Sequence, residues 1–339
     1  MNSISNQTYI NIWLYTTIVM VVLMILIGGI TRLTDSGLSM VDWEPLAGII
    51  PPITNNDWEE EFNHYKQYPE YKEINLDMTL AEFKIIFFWE YLHRMVGRLI
   101  GLFFIIPLIY LLFKKRISKN DLKVVLTIIL LIISQGLLGW YMVMSGLSQN
   151  PFVDHIRLML HFMMAMILVS YTYLQYLKKG TLKSKKHLMS YKSTLLFFII
   201  ILIQIIFGTF TAGLKAGYIF NTYPLMNNSF FPYEILYNSS LGFLNSLINN
   251  LPTVQYIHRT IGLIILLWAI YIIIQAYKEK DEYLDELKLS ILIIIQFLLG
   301  VLTLITSVNI YIALLHQINA TFIIMLFVKL IYLKKSNSK

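Results

Sequence analysis

The sequence contains no cysteine among its 339 residues. This absence excludes disulfide bonds, thiolate nucleophiles, iron–sulfur clusters and cysteine-ligated heme. Charge is also scarce, because 14% of the residues are charged, whereas a soluble domain averages about 25%. Apolar residues make up 57% of the chain, and the mean hydropathy is +0.62. This composition is typical of an integral membrane protein.

Eight apolar runs of about twenty residues cross the sequence, each long enough to span a hydrocarbon core of about 30 Å. They predict transmembrane helices over residues 12–33, 85–113, 122–145, 156–177, 193–214, 255–277, 288–308 and 312–333. The second run is long, and we expect its first residues to extend beyond the bilayer. The expected fold class is an all-α polytopic membrane protein.

Basic residues orient these helices. The loops 114–123 and 178–192 and the end of the chain are rich in lysine, whereas 146–155 and 309–311 contain neither lysine nor arginine. By the positive-inside rule, both termini lie in the cytoplasm and the long loops 34–84 and 215–254 lie outside. The formal charge of +7 is therefore an orientation signal, and the expected surroundings are membrane lipid rather than nucleic acid.

The first apolar run lacks the basic flank and cleavage site of a secretory signal, so it is expected to remain as a helix. It also differs from an arginine-rich, amphipathic transit peptide. A bacterial inner membrane is favoured over a mitochondrial inner membrane.

The sequence contains an internal repeat, because four motifs recur in the same order. Corresponding positions are Gly28 and Gly208, His93 and His258, Gly139 and Gly300, and His161 and His316. Because both copies begin on the same side of the membrane, the repeat predicts two parallel four-helix bundles with an axis along the membrane normal. We expect residues 1–187 and 188–339 to form the two halves.

Four histidines, His93, His161, His258 and His316, lie in the first turns of the even-numbered spans, at similar depth toward the outer face. An unsatisfied imidazole in lipid costs a few kcal/mol, and intramembrane ionisable residues usually face the bundle interior. Hydrogen bonding to a neighbouring helix would explain one such histidine, but four at matching positions favour ligand binding. We interpret the other three, at 64, 155 and 187, as ordinary surface residues.

The pairs His93 with His161 and His258 with His316 predict two sites of two imidazoles each. Zinc normally needs a third protein ligand, whereas heme iron takes four ligands from its porphyrin and two from the protein. Small residues near the histidines, Gly97, Gly139 and Ala165, allow close helix approach or room for a flat macrocycle.

Arg94 and Arg259 directly follow two of the histidines, and each is a candidate for binding a heme propionate. The alternative is that each extends to lipid headgroups. Three residues before His93 the chain has Glu90, where the second half has Gln255. A carboxylate on the same helix face as the iron site can relay protons or stabilise positive charge, and an amide cannot. Glu90 as a solvated charge just outside the bilayer is the alternative. The asymmetry predicts a catalytic site in the first half and an electron-storing site in the second.

The segments GGITRLTDSGLSMVDWEPLAGIIPP at 28–52, WEEEFNHYKQYPEYKEINLDMTLAEFKIIFFWEYLHRMVGRLIG at 58–101 and AGLKAGYIFNTYPLMN at 212–227, with QYIHRTIG of the sixth span, resemble the heme A synthase family. The likeness covers nearly the whole chain and is to the branch of mitochondria and many proteobacteria. Other members of the family carry a cysteine pair in an outer loop. This chain has no cysteine, so no role for such a pair is carried over.

The resemblance implies that heme o is oxidised at its C8 methyl, through an alcohol, to the formyl group of heme A for the terminal oxidase. It implies that His258 and His316 hold a permanent heme b, that His93 and His161 hold the substrate heme, and that Glu90 is catalytic. Heme O synthase and an electron donor are the implied partners, and a homo-oligomer is compatible with the family. Two other classes stay open: a membrane b-type cytochrome in quinol electron transfer, and a heme transporter or chaperone.

Overall fold

The structure, a computed structural model, describes residues 6–42, 47–148, 150–180, 186–232, 242–279 and 283–337. Within these ranges the secondary structure is α-helical, with short 3-10 turns at Ala47–Ile49 and Ala216–Tyr218. The helices are α1 (Asn6–Leu33), α2 (Asn55–Tyr65), α3 (Pro69–Glu73), α4 (Leu80–Phe113), α5 (Lys119–Gly146), α6 (His155–Lys179), α7 (Tyr191–Gly213), α8 (Phe243–Asn249), α9 (Leu251–Glu279), α10 (Leu284–Ile305) and α11 (Ile310–Asn337).

Eight of these helices are long and apolar enough to cross a membrane: α1, α4, α5, α6, α7, α9, α10 and α11. The prediction of an all-α protein with eight candidate spans is therefore confirmed. Helix α4 begins before its predicted apolar run because Thr79 and Glu82 form a capping box, with the Thr79 hydroxyl accepting from the Glu82 amide. Ser118 and Ser190 cap α5 and α7, where their hydroxyls accept from the Asp121 and Ser193 amides.

Large apolar side chains remain exposed along the spans. On α4 they include Leu99, Leu102, Ile105, Ile106 and Ile109. A soluble protein rarely leaves so many contiguous apolar residues in water. Their exposure indicates that lipid covers this surface, which agrees with a multi-pass membrane protein.

The chain divides into two compact units, which we call unit 1 (Met1–Thr172) and unit 2 (Tyr173–Lys339). The division falls inside α6, earlier than the boundary that the repeat predicts at residues 187 and 188. That predicted boundary and the parallel orientation of the two bundles stay predictions.

In unit 1, a cluster of aromatic side chains covers the start of α4. Val41 packs with Phe62 and Tyr65 of the α2 helix and with Phe83 and Phe87 of α4. The Tyr65 hydroxyl donates to a carboxylate oxygen of Glu70 at 3.0 Å. Burial, together with this carboxylate, raises the pKa of Tyr65, so the phenol stays a hydrogen-bond donor. The cluster fixes the segment around Val41 against α4, next to Glu90.

Candidate functional site

Each of the four intramembrane histidines packs its ring against a glycine of another helix. A Cβ atom built on that glycine would lie 2.9–3.0 Å from the imidazole Cε1, at or inside the closest approach that real Cβ atoms show. The contacts are Gly28 with His93, Gly139 with His161, Gly208 with His258, and Gly300 with His316. The glycines therefore let each imidazole lie directly on a helix backbone, which fixes the ring in the helix interface.

The structure brings the two histidines of unit 2 together. The ring centres of His258 and His316 lie 6.5 Å apart, and the ring planes cross at 82°. A metal–imidazole bond is about 2 Å long and a ring nitrogen lies about 1.1 Å from its ring centre, so one metal ion between two imidazoles sets the ring centres about 6.3 Å apart. The observed spacing fits one iron held by both rings.

Hydrogen bonds fix the orientation of both rings in unit 2. Nδ1 of His258 lies 3.2 Å from the Gln204 carbonyl oxygen, and Nδ1 of His316 lies 3.1 Å from the Gln296 carbonyl oxygen. A carbonyl only accepts, so Nδ1 carries the proton in each ring and Nε2 keeps its lone pair. This is the arrangement in which backbone groups support metal-ligating histidines. Both Nε2 atoms are therefore available as iron ligands.

The histidines of unit 1 have less of this support. Nδ1 of His93 is buried and has no hydrogen-bond partner among the described residues, and Nδ1 of His161 makes only a weak hydrogen bond with the Gln135 backbone. Nε2 of His161 instead lies 3.3 Å from the side-chain nitrogen of Gln135. Iron would bind Nε2, so the weak support of Nδ1 does not prevent heme binding in unit 1, but it orients these rings less firmly than those of unit 2.

Glu90 is buried, with 3% of its surface exposed, so it is not a solvated charge. Its Oε2 accepts from the Ser39 hydroxyl and from the Met40 amide, both at 2.8 Å. Its Oε1 lies 2.6 Å from a terminal nitrogen of Arg94. Arg94 in turn donates to the carbonyls of Met40 and Asp42. The carboxylate and the guanidinium together hold residues 39–42 against α4.

Gln255 and Arg259 make a comparable set of contacts in unit 2. The Gln255 amide donates to the carbonyls of Ala216 and Ile219, at 3.0 and 2.7 Å. The Arg259 guanidinium donates to three carbonyls in the segment after Ile219, those of Phe220, Thr222 and Leu225. Glu90 of unit 1 therefore accepts a hydrogen bond from a backbone amide, whereas Gln255, at the corresponding position of unit 2, donates to backbone carbonyls. Propionate binding by Arg94 and Arg259 stays a prediction, and the contacts seen here are to the protein.

Two histidines were wrongly expected to be surface residues. His155 is buried, and the His187 side chain is 9% exposed and lies 3.2 Å from a buried carboxylate oxygen of Glu286. In that cluster Lys334 also lies 3.1 Å from Glu286. Loop position suggested exposure, but around His187 the start of α7, the start of α10 and the end of α11 come together. His64 is partly exposed, as expected.

Sequence reasoning did not assign the glutamines to the site. Gln135, Gln204 and Gln296 each lie four residues before a glycine that contacts a histidine, a spacing that could have identified them. In α1 the same position before Gly28 is Met24, which packs against Gly97. Ser39 could not be found in this way, since its contact with Glu90 joins residues far apart in the chain.

The glycine contacts predict a matched pair of variants in α5. Gly139→Ala places a methyl group 3.0 Å from the His161 ring and is expected to displace it, so the heme o site that the sequence predicts in unit 1 should bind much less heme o. Gly136→Ala, on the same helix, meets nothing within 4 Å and should bind heme o normally. An alanine inside a helix otherwise stabilises by about 1 kcal/mol relative to glycine. The check is heme o bound per purified protein, and equal binding by the two variants would contradict the role of the glycine.

Comparison with known proteins relates the whole chain to one family. Residues 11–328 match a family described as "Cytochrome oxidase assembly protein". The chain is 37% identical to the heme A synthase of Pelagibacter ubique, with 99% of both chains covered. It is 39% identical to the heme A synthase of Flavobacterium johnsoniae, over 92% of this chain and 94% of the relative. It is 42% identical to that of Rickettsia bellii, over 90% and 92%. The chain belongs to the heme A synthase family.

Proposed function

We propose that this protein is a heme A synthase, which oxidises the C8 methyl group of heme o through an alcohol to the formyl group of heme A. Family membership supports the activity, and the structure supports its location. The observation that carries the proposal is the presence of two histidine pairs whose rings are supported differently in the two units. The relatives' names do not favour a plain cytochrome or a transporter.

Unit 2 is proposed to hold a resident heme b through His258 and His316. The spacing of these rings and the hydrogen bonds to Nδ1 support firm, pre-oriented ligands. When bound, this heme supplies one-electron storage. The chain's own contribution is to hold both rings in the correct tautomer and to exclude other ligands by packing each ring on a glycine.

Unit 1 is proposed to hold heme o through His93 and His161. A substrate must enter and its product must leave, and ligands that are only weakly supported at Nδ1 suit this exchange. Glu90 lies about one helical turn before His93, on the same face of α4. We propose that its carboxylate accepts or returns a proton during oxidation, while Arg94 neutralises its charge.

The proposed location is a bacterial inner membrane, with both termini in the cytoplasm. The lysine-rich loops and the eight candidate spans support this orientation. Heme O synthase and an electron donor are the proposed partners, and self-association into a homo-oligomer is compatible with the family.

This orientation predicts the behaviour of reporters. A reporter fused after Lys339 should be active only if it functions in the cytoplasm, and a cysteine introduced at exposed Asn56 should react with an impermeant reagent in intact spheroplasts. A cysteine at exposed Lys119 should react only after the membrane is opened. The reverse labelling pattern would overturn the topology. The natural absence of cysteine makes the labelling specific.

The activity is tested by expression in a host that makes heme o but no heme A. Hemes extracted from such cells are expected to include a formyl heme only when this protein is present. Cells that accumulate the protein with resident heme but contain only heme o and heme b would overturn the proposed activity.

A further inference from the structure

Gln135 of α5 makes a contact that distinguishes unit 1 from unit 2. Its side-chain nitrogen lies 3.3 Å from Nε2 of His161, the nitrogen that would ligate iron. Its Oε1 is buried and has no hydrogen-bond partner among the described residues. With Nδ1 of His161 protonated, the amide donates to the lone pair of Nε2. The Gln135 amide then forms a hydrogen bond with the Nε2 lone pair through which His161 would bind iron.

The corresponding glutamine of unit 2 is held away from its histidine. Oε1 of Gln296 accepts from the Asn319 side chain at 2.9 Å, and the same Asn319 nitrogen also donates to the Leu292 carbonyl. Asn319 is buried and lies three residues after His316. His316 is therefore left with its Nδ1 hydrogen bond to a backbone carbonyl and with a free Nε2.

A single difference between the repeats accounts for the two arrangements. Three residues after His161, at the position that corresponds to Asn319, the chain has Met164. A thioether cannot donate a hydrogen bond, so Met164 cannot hold Gln135 as Asn319 holds Gln296. In unit 1 the glutamine is free to reach the ligand nitrogen.

We propose that Gln135 is a positioning residue of the unit 1 heme site, occupying Nε2 of His161 while the site is free and yielding it when heme binds. This proposal rests on the proposed function, because it takes unit 1 as the site of exchange. Loading the site then costs one hydrogen bond, which weakens heme binding and speeds its release. The glutamine also helps to hold the His161 ring between turnovers, through its side chain at Nε2 and the weak contact of its backbone with Nδ1.

The test measures heme release from full-length protein that carries heme b from expression and is then loaded with heme o. The protein is kept oxidised under nitrogen without reductant, so that no conversion occurs, and excess apomyoglobin captures released heme. Extraction and chromatography separate heme o, which reports on unit 1, from heme b, which reports on unit 2. Optical spectra check that the bound hemes remain low-spin.

Three variants test this role, two in unit 1 and one in unit 2, and the effects expected in the two units are opposite. Gln135→Met removes the competing amide, and Met164→Asn supplies the donor that Asn319 supplies in unit 2, so both should slow heme o release roughly three- to tenfold, the scale of one net hydrogen bond. Heme b release should not change in either. Asn319→Met frees Gln296 to compete at His316 and should speed heme b release by a similar factor.

Faster or unchanged heme o release in both Gln135→Met and Met164→Asn would overturn the role of Gln135. A purely structural role would instead alter the release of both hemes together. If wild-type protein binds no heme o beyond its resident heme b, the proposed function of unit 1 fails, and this outcome is distinct from the failure of Gln135 alone.

Discussion

Replacement of His258 by alanine is expected to remove most of the low-spin b-type heme from the purified protein. The ring lies 6.5 Å from the His316 ring and is held by the Gln204 carbonyl, so no other described imidazole makes this ring contact with His316. A heme held by one imidazole instead of two would lose the strong ligand field that two imidazoles supply, and it would bind more weakly. The measurement is the reduced-minus-oxidised spectrum together with heme per protein.

The matched control is His93→Ala, which removes the corresponding ligand in unit 1. The resident low-spin heme b should persist in this variant, because its proposed ligands lie in unit 2. Full low-spin heme in the double variant of His258 and His316 would contradict the assignment of the resident site.

Replacement of Glu90 by glutamine is expected to lower conversion of heme o by roughly a hundredfold or more, the usual scale for loss of an acid–base group. The substitution is nearly isosteric, but the carboxylate accepts at both oxygens from Ser39, Met40 and Arg94. An amide offers only one acceptor, so its nitrogen must face a donor in either orientation. Some loosening of residues 39–42 is therefore expected alongside the chemical defect.

Ser39→Ala separates the two effects. It removes one hydrogen bond to Glu90 but keeps the carboxylate and its ion pair, so conversion should fall less than tenfold. The measurement is the ratio of heme A to heme o in cells, with the spectrum of each purified variant. Normal heme A output from Glu90→Gln would reduce Glu90 to an anchor for the loop, and loss of all heme would make its role structural.

The helices could be predicted from the sequence, because lipid imposes long apolar runs that composition reveals directly. The four histidines could be singled out from the sequence, since a polar ring in an apolar run is conspicuous and the repeat marks it twice, and their role as heme ligands stays a prediction. Their pairing in unit 2 agrees with the sequence-based interpretation. The start of α4 was placed too late because a polar capping box extends the helix beyond its apolar part.

The partners of the charged residues could not be predicted. Propionate binding by Arg94 and Arg259 stays a prediction, but the sequence does not reveal that both guanidinium groups donate to backbone carbonyls of segments far away in the chain. Periodicity describes one helix at a time and does not show how a loop folds back over it. The same limit applies to Gln135, whose contact with His161 depends on the absence of a donor at Met164.

The most direct test of heme A synthase activity uses purified wild-type protein, loaded with heme o and supplied with a chemical reductant in air. Extracted hemes are analysed over time by mass spectrometry. The expected result is loss of heme o with appearance of the alcohol and then the formyl heme, while heme b from unit 2 stays unchanged. Heme o recovered intact, from protein whose low-spin heme b is fully reduced, would contradict the proposed synthase activity.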